Sequence, residues 1–193
     1  MSDNIEIEAK ILISEAQYNK AINIISDEVY HRFIQTNYYI DTKNFFLHNL
    51  GCSLRIRKKD NFELTLKAPL SEGLLEKSQI ISSEAYKNFA KSKIFPDGDI
   101  KKFLMIIGIN IDELSIITSL TTDRIELPYN DGTLCIDKNE YNEQVDYEIE
   151  MEHSSMENAQ SVLKNFAEKL KIKDIAFNKI SKQQRAMSTI KRV

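Results

Sequence analysis

Two cysteines, Cys52 and Cys135, are all that 193 residues contain. They are too few and too isolated for a disulfide framework or a zinc cluster, so both read as buried free thiols in strands. Also missing is any apolar run near the roughly 20 residues that cross a bilayer, so no membrane partner is expected. The polar start Met1-Ser2-Asp3-Asn4 is unlike a signal peptide, and the expected location is cytoplasmic. Positive charge is not in excess: 26 Lys and Arg stand against 29 Asp and Glu, a formal net charge of −3. No nucleic-acid partner is therefore expected. Short repeats and low-complexity linkers are absent too. A length of 193 residues fits one domain, 1–193, with a substantial core.

What is present is an ordinary globular composition, 42% hydrophobic and 28% charged, in which charge alternates with apolar residues along strands. The segment Ile5 to Leu12 puts Glu6, Glu8 and Lys10 on one face and Ile5, Ile7, Ala9 and Ile11 on the other. Ser14 with Gln17 is a capping box that opens a helix to about Ile25. A long strand follows over Phe33–Ile40. Cys52–Lys58 and Phe62–Lys67 read as a hairpin, with Arg55 and Arg57 on the polar face of the first strand and Glu63, Thr65 and Lys67 on that of the second. Pro69 and Gly73 bound a loop before a strand over Leu74–Ile81.

Two helical stretches come next, one capped by Ser82 or Ser83, the other opening at Pro96–Asp99 and stopped by Gly108. A second set of strands covers Leu114–Leu127, Thr133–Lys138 and Val145–Glu152. Asn130-Asp131-Gly132 is the hairpin signal between the first two. Asp146, Glu148, Glu150 and Glu152 share one face of the last. Ser154 with Glu157 marks the start of a further helix, and the chain closes on a basic helix over about Lys179–Arg192. The class is α+β with a predominantly antiparallel sheet.

Face-selected charges of both signs recur. Glu6, Glu8, Asp137, Glu148 and Glu150 form the acidic set; Lys10, Arg55, Arg57, Lys67, Arg124 and Lys179 form the basic one. Pointing into water, each is an ordinary surface residue worth little. Gathered in one cavity they become specific: carboxylates without His or Cys suit Mg²⁺ or Mn²⁺, and guanidinium forks match phosphate oxygens. A sheet charged on its inner face cannot use that face as core, so it is expected to close around a solvated tunnel with its apolar side on the helices.

The opening Glu6-x-Glu8-x-Lys10 resembles the signature of the CYTH, or triphosphate tunnel, family, which is named for class IV adenylyl cyclases and thiamine triphosphatases. Tyr39-Ile40-Asp41-Thr42, Leu54-Arg55-Ile56-Arg57 and Thr65-Leu66-Lys67 resemble further family elements in order. Arg124, Asp137, Glu148-x-Glu150 and Lys179 fall where later ones are expected. The order and spacing of these elements, Gly73-Leu74-Leu75-Glu76 included, most resemble a firmicute YjbK-like branch. Ile40 departs from an aromatic frequent at its position, and Lys182 is placed to share the role given to Lys179.

The resemblance implies a closed eight-stranded antiparallel β-barrel with a charged interior and helices outside. It also implies a small-molecule triphosphate as substrate and a divalent metal, Mg²⁺ or Mn²⁺. The expected reaction is metal-dependent hydrolysis of inorganic tripolyphosphate, thiamine triphosphate or a nucleoside triphosphate. Lys10, Arg55, Arg57, Lys67, Arg124 and Lys179 would bind phosphate, and Glu6, Glu8, Asp137, Glu148 and Glu150 would hold metal. Lys10, hydrogen-bonded to Tyr39, is the candidate for assisting deprotonation of the attacking water. The alternatives are cyclisation of ATP to cyclic AMP and non-catalytic binding of polyphosphate or nucleotide. A monomer and a homodimer are equally compatible with the sequence.

Overall fold

The alternating segments become strands, and the stretches with helical spacing become helices. The structure, a computed structural model, describes residues 7–69 and 74–190, the Leu74 side chain excepted. Glu6 and Gly73 therefore lie outside the described residues. The first half contains β1 (Glu8–Ile13), α1 (Glu15–Ile24), β2 (His31–Asp41), α2 (Phe46–Asn49), β3 (Ser53–Lys58), β4 (Phe62–Pro69) and β5 (Leu74–Ile81). The second contains α3 (Ser83–Ser92), α4 (Asp99–Ile106), β6 (Ser115–Tyr129), β7 (Gly132–Tyr141), β8 (Gln144–Glu152), α5 (Met156–Lys169) and α6 (Lys182–Ser188).

The strands form one eight-stranded sheet in the order β1-β8-β7-β6-β2-β3-β4-β5. The pairings β1–β8, β8–β7, β7–β6, β2–β3, β3–β4 and β4–β5 are all antiparallel. The class is the expected α+β. The order begins at β1 and ends at β5, with no pairing between those two strands among the described residues.

Turn chemistry explains the registers. Asn130 and Asp131 have φ of 45° and 60°, as a two-residue primed turn demands, and they join Tyr129 to its partner Gly132. Asn142 and Glu143, at 44° and 63°, do the same between β7 and β8. Gly108, at φ 82°, donates its N–H to Met105 O as α4 ends.

Caps follow the sequence with one shift. Ser14 and Gln17 form the capping box of α1, and Ser82 caps α3. The cap of α5 is Ser155, which accepts from Asn158 N, not Ser154. Ser154 is engaged by the His153 ring through both its N–H and its Oγ.

The chain divides into two compact units: a middle unit of Gln35–Leu120, and an end unit comprising the described parts of Asn4–Ile34 and Thr121–Lys191. In the middle unit the apolar faces of β2–β5, including Ile40, Leu54, Ile56, Leu64 and Leu66, pack on Leu47, Phe89, Ile100 and Leu104 from α2, α3 and α4. In the end unit Ile11, Ile125, Ile136, Ile149 and Met151 pack on Tyr18 and Ala21 of α1 and on Leu163 and Phe166 of α5. Each fully buried Leu, Ile or Phe contributes about 1.5–3 kcal/mol. With helices on the apolar side of the strands, the charged side chains are left to the other face. No helix among the described residues is long and apolar enough to cross a membrane.

Candidate functional site

In the end unit, strand register sets the polar face in rows. Leu12, Glu148, Asp137 and Arg124 lie across β1, β8, β7 and β6. Lys10, Glu150, Cys135 and Glu126 form the adjoining row. Directly opposed Arg124 and Asp137 make a two-pronged ion pair, Nε to Oδ1 at 2.8 Å and Nη2 to Oδ2 at 2.7 Å. The same Nη2 reaches diagonally to Glu150 Oε2 at 2.5 Å. Asp137, Glu148 and Glu150 are all buried, and burial of charge requires paired partners.

Much of that pairing comes from α6. Lys182 Nζ sits 3.0 Å from Asp137 Oδ2, 3.2 Å from Glu148 Oε1 and 2.5 Å from Glu150 Oε1. Arg185, one turn further along the same helix face, holds Asp146 through Nε at 2.8 Å and contacts Glu148 Oε2 through Nη2. Asp146 also accepts from Asn139 Nδ2 at 2.9 Å and Tyr141 Oη at 2.6 Å, and Thr122 Oγ1 donates to Asn139 Oδ1.

The two neighbouring glutamates diverge. Burial, opposed by Lys182 and reinforced by the hydrogen bond to Glu150, pushes the Glu148 carboxyl up to about 8. Burial would raise Glu150 as well, but Lys182 and Arg124 hold it well below the usual carboxylate range. Burial disfavours the Lys182 charge, yet Glu150, Asp137 and Glu148 together raise its pKa. The two carboxyls are thus pushed in opposite directions, Glu148 up by burial and Glu150 down by its cationic neighbours. The Cys135 thiol, in the middle of this face, is pushed up by burial; both cysteines are free and buried.

Of the expected residues, Arg124, Asp137, Glu148 and Glu150 are brought together. Lys10 donates to Glu8 Oε1 at 2.7 Å on the same face. Lys179 is exposed, and the ammonium that meets the carboxylates is that of Lys182. Two features set this: Asn178 N is tied to Lys10 O far back in the chain, and the Ser181–Gln184 capping box begins α6 so that Lys182 stands in its first turn. Arg185 and Asp146 were not among the expected site residues. Their signals were the i, i+3 spacing of Lys182 and Arg185 after a Ser cap and the position of Asp146 on the Glu148 face.

The middle unit has its own polar face. Tyr39 is buried opposite Arg55, Asn37 opposite Arg57, and Thr65 lies across from Arg55 on the other side. Arg57 Nε donates to Asn37 Oδ1 at 3.4 Å. Lys67 pairs with Glu76 at 2.9 Å, which gives Glu76 a cross-strand partner. Neighbouring Lys77 lies over the Phe103 ring instead. Arg55 Nε is buried with no hydrogen-bond partner among the described residues, an uncommon state for a guanidinium nitrogen and one that an anionic oxygen would satisfy. Asp41 is structural: its carboxylate accepts from Thr42, Leu47 and His48 N–H groups and holds α2 in place.

Comparison with known proteins gives a consistent family. The sequence profile of the CYTH domain matches residues 4–182. The Bacillus subtilis (strain 168) protein YjbK, whose name provisionally makes it a triphosphatase, is 31% identical over 172 residues, 86% of this chain and 89% of its own. A Bacillus halodurans crystal structure, provisionally named an adenylate cyclase, superposes with a TM-score of 0.80 at 34% identity, covering 96% of this chain and 98% of that one. HpAC1 from Hippeastrum, an adenylyl cyclase by provisional name described as having a dominant triphosphatase activity, superposes with a TM-score of 0.78. At 23% identity over 95% of this chain and 96% of its own, it shows the fold.

Proposed function

The chain belongs to the CYTH domain family, and from that premise we propose that it hydrolyses the terminal phosphoryl group of a short linear triphosphate with a divalent cation. The observation that carries this reading is the buried interleaving of Arg124 and Lys182 with Asp137, Glu148 and Glu150. Such a cluster is costly to bury merely for stability. It is well suited to exchanging its internal ion pairs for a metal-bound polyanion. The triphosphatase name of YjbK supports the same reading.

The donor set fits a hard cation, because Glu8, Asp137, Glu148 and Glu150, with Glu6, offer only carboxylate oxygens. Among the described residues no three such groups already stand as a metal site; Lys182 and Arg124 take up their oxygens. Bound Mg²⁺ or Mn²⁺ would polarise phosphoryl oxygens as a Lewis acid. The chain's own cations do the rest. Arg124 in the end unit, and Arg55, Arg57 and Lys67 in the middle unit, are each suited to bind phosphate oxygens, and Arg55 offers a nitrogen without a hydrogen-bond partner among the described residues. Lys182 takes the place first given to Lys179. These groups neutralise charge as water bonds to the terminal phosphorus and the bond to the leaving diphosphate breaks. Lys10 handles the proton of that water.

The closed tunnel, a single domain over 1–193, a cytoplasmic location and a monomer or homodimer belong to this reading. One profile match over 4–182, covering sequence of both units, supports the single domain.

Phosphate release from tripolyphosphate, thiamine triphosphate and ATP, with Mg²⁺ and with Mn²⁺, tests the proposal. Lys10→Ala and Glu150→Gln serve as controls. Metal-dependent release that both variants lose is the expected result; no release from any of the three sinks it. The 34% identical halodurans structure carries a cyclase name, so the ATP arm also reads cyclic AMP, whose formation without phosphate release would favour that second reading.

A further inference from the structure

Three carboxylate oxygens converge on one ammonium in the end unit. Asp137 Oδ2, Glu148 Oε1 and Glu150 Oε1 all lie within 3.2 Å of Lys182 Nζ, and the lysine side chain keeps only 14% of its exposure. These are the same hard oxygens that would take a divalent cation. A cation held by Glu148 and Glu150 would sit a few ångströms from that ammonium, where two like charges in a poorly solvated pocket repel strongly. Both cannot occupy the cluster.

The mounting of Lys182 suits exchange. It is the first residue of α6, at the helix end where a positive charge is disfavoured by the helix dipole, so its attachment depends on the carboxylates. Besides the Arg185 contact to Glu148, the rest of α6 and its C-cap have moorings outside the cluster: Arg185 on Asp146, and Asn142 Nδ2 on Ala186 O at 2.8 Å and Thr189 Oγ1 at 3.0 Å. Loss of the Lys182 contacts would loosen the first turn while the remainder stays docked.

We infer that Lys182 is a tethered countercation that neutralises the carboxylate cluster and is displaced by a divalent cation, so that metal binding frees both the ammonium and the first turn of α6. This rests on the metal part of the proposed function and not on hydrolysis. The displaced ammonium is then available to an anion that arrives with the metal.

Mn²⁺ binding is measured by titration calorimetry for the wild type, Lys182→Met and, as a charge-loss control, Lys173→Met at an exposed position of the preceding segment. Removing the competitor should tighten Mn²⁺ binding on the order of tenfold in K182M, with K173M close to wild type. Backbone hydrogen exchange of the wild type, with and without saturating Mn²⁺, supplies a readout that does not depend on a variant folding. Faster exchange confined to the first turn of α6 is expected. Equal or weaker Mn²⁺ binding by K182M, or an unchanged first turn at saturation, overturns the inference and leaves the triphosphatase reading intact. Absence of Mn²⁺ binding by wild type and variant alike overturns it together with the metal requirement, while phosphate release still reports separately on hydrolysis.

Discussion

At the scale of single residues, the buried charges make opposite demands on pH. Glu148 has its carboxyl raised to about 8, chiefly by burial. A raised folded value means that the native state holds a proton the unfolded chain has released. Its stabilising contribution is therefore complete below the ordinary carboxylate pKa and is lost as pH rises through about 8. Glu150, held low by Lys182 and Arg124 against burial, contributes above the ordinary value and loses its contribution as pH falls. In EDTA, the melting temperature of the wild type should decline from pH 6 to pH 9. Glu148→Gln should flatten that decline and leave the acid side unchanged, each kcal/mol reading as about 2–4 °C in a chain of this size. An identical alkaline slope in the variant would remove Glu148 as its source.

Arg55 makes the contrasting case. With Nε buried and unpartnered among the described residues, its removal relieves a desolvated donor, so Arg55→Ala should change unfolding free energy by less than about 1 kcal/mol. Tripolyphosphate binding, followed by calorimetry, should weaken by at least about tenfold, since a charge-assisted hydrogen bond contributes about 1.5–3 kcal/mol. A large stability loss with unchanged binding would make Arg55 structural.

Secondary elements place these groups through turns and caps. The β6–β7 turn needs Asn130 and Asp131 at positive φ, and the strand it launches starts at a position with no room for a side chain. A Cβ on Gly132 would collide with the backbone oxygen of Glu152 and with Met151 Cε. Gly132→Ala should therefore cost about 1–3 kcal/mol by urea denaturation, the usual range for overpacking. Because Gly132 begins the strand that carries Asp137, the same variant should weaken triphosphate binding in parallel. A neutral result would mean that β8 shifts freely at that end, contrary to its register with β1.

At the scale of the molecule, the described residues form two apolar clusters, one in each unit. One family profile runs through sequence of both, and whether they melt as the proposed single domain is open to a direct test. Leu66→Ala in the middle unit and Leu163→Ala in the end unit both remove fully buried side chains and should each cost about 2–5 kcal/mol. For a single domain, each variant shifts one common transition in a calorimetric melt. Two transitions, each moved by only one variant, would make the units separate folding domains.

Period-two alternation, turn residues and Ser caps are local, and they were legible in the sequence. They determined that β1, β3, β4, β7 and β8 are strands, which residues share a face, and that helices cover the apolar side. The family signature was legible for the same reason, much of it being written in residues two positions apart on one strand face. Three things were decided only by tertiary structure. Lys182, rather than Lys179, meets the carboxylates, because the start of α6 depends on where the Asn178–Lys10 backbone bond anchors the preceding chain. Arg185 and Asp146 join the cluster, because a helix distant in sequence docks there. The split between Glu148 and Glu150 arises because burial and neighbouring charge act through space, and nothing in two glutamates one residue apart distinguishes them until Lys182, Arg124 and Arg185 arrive.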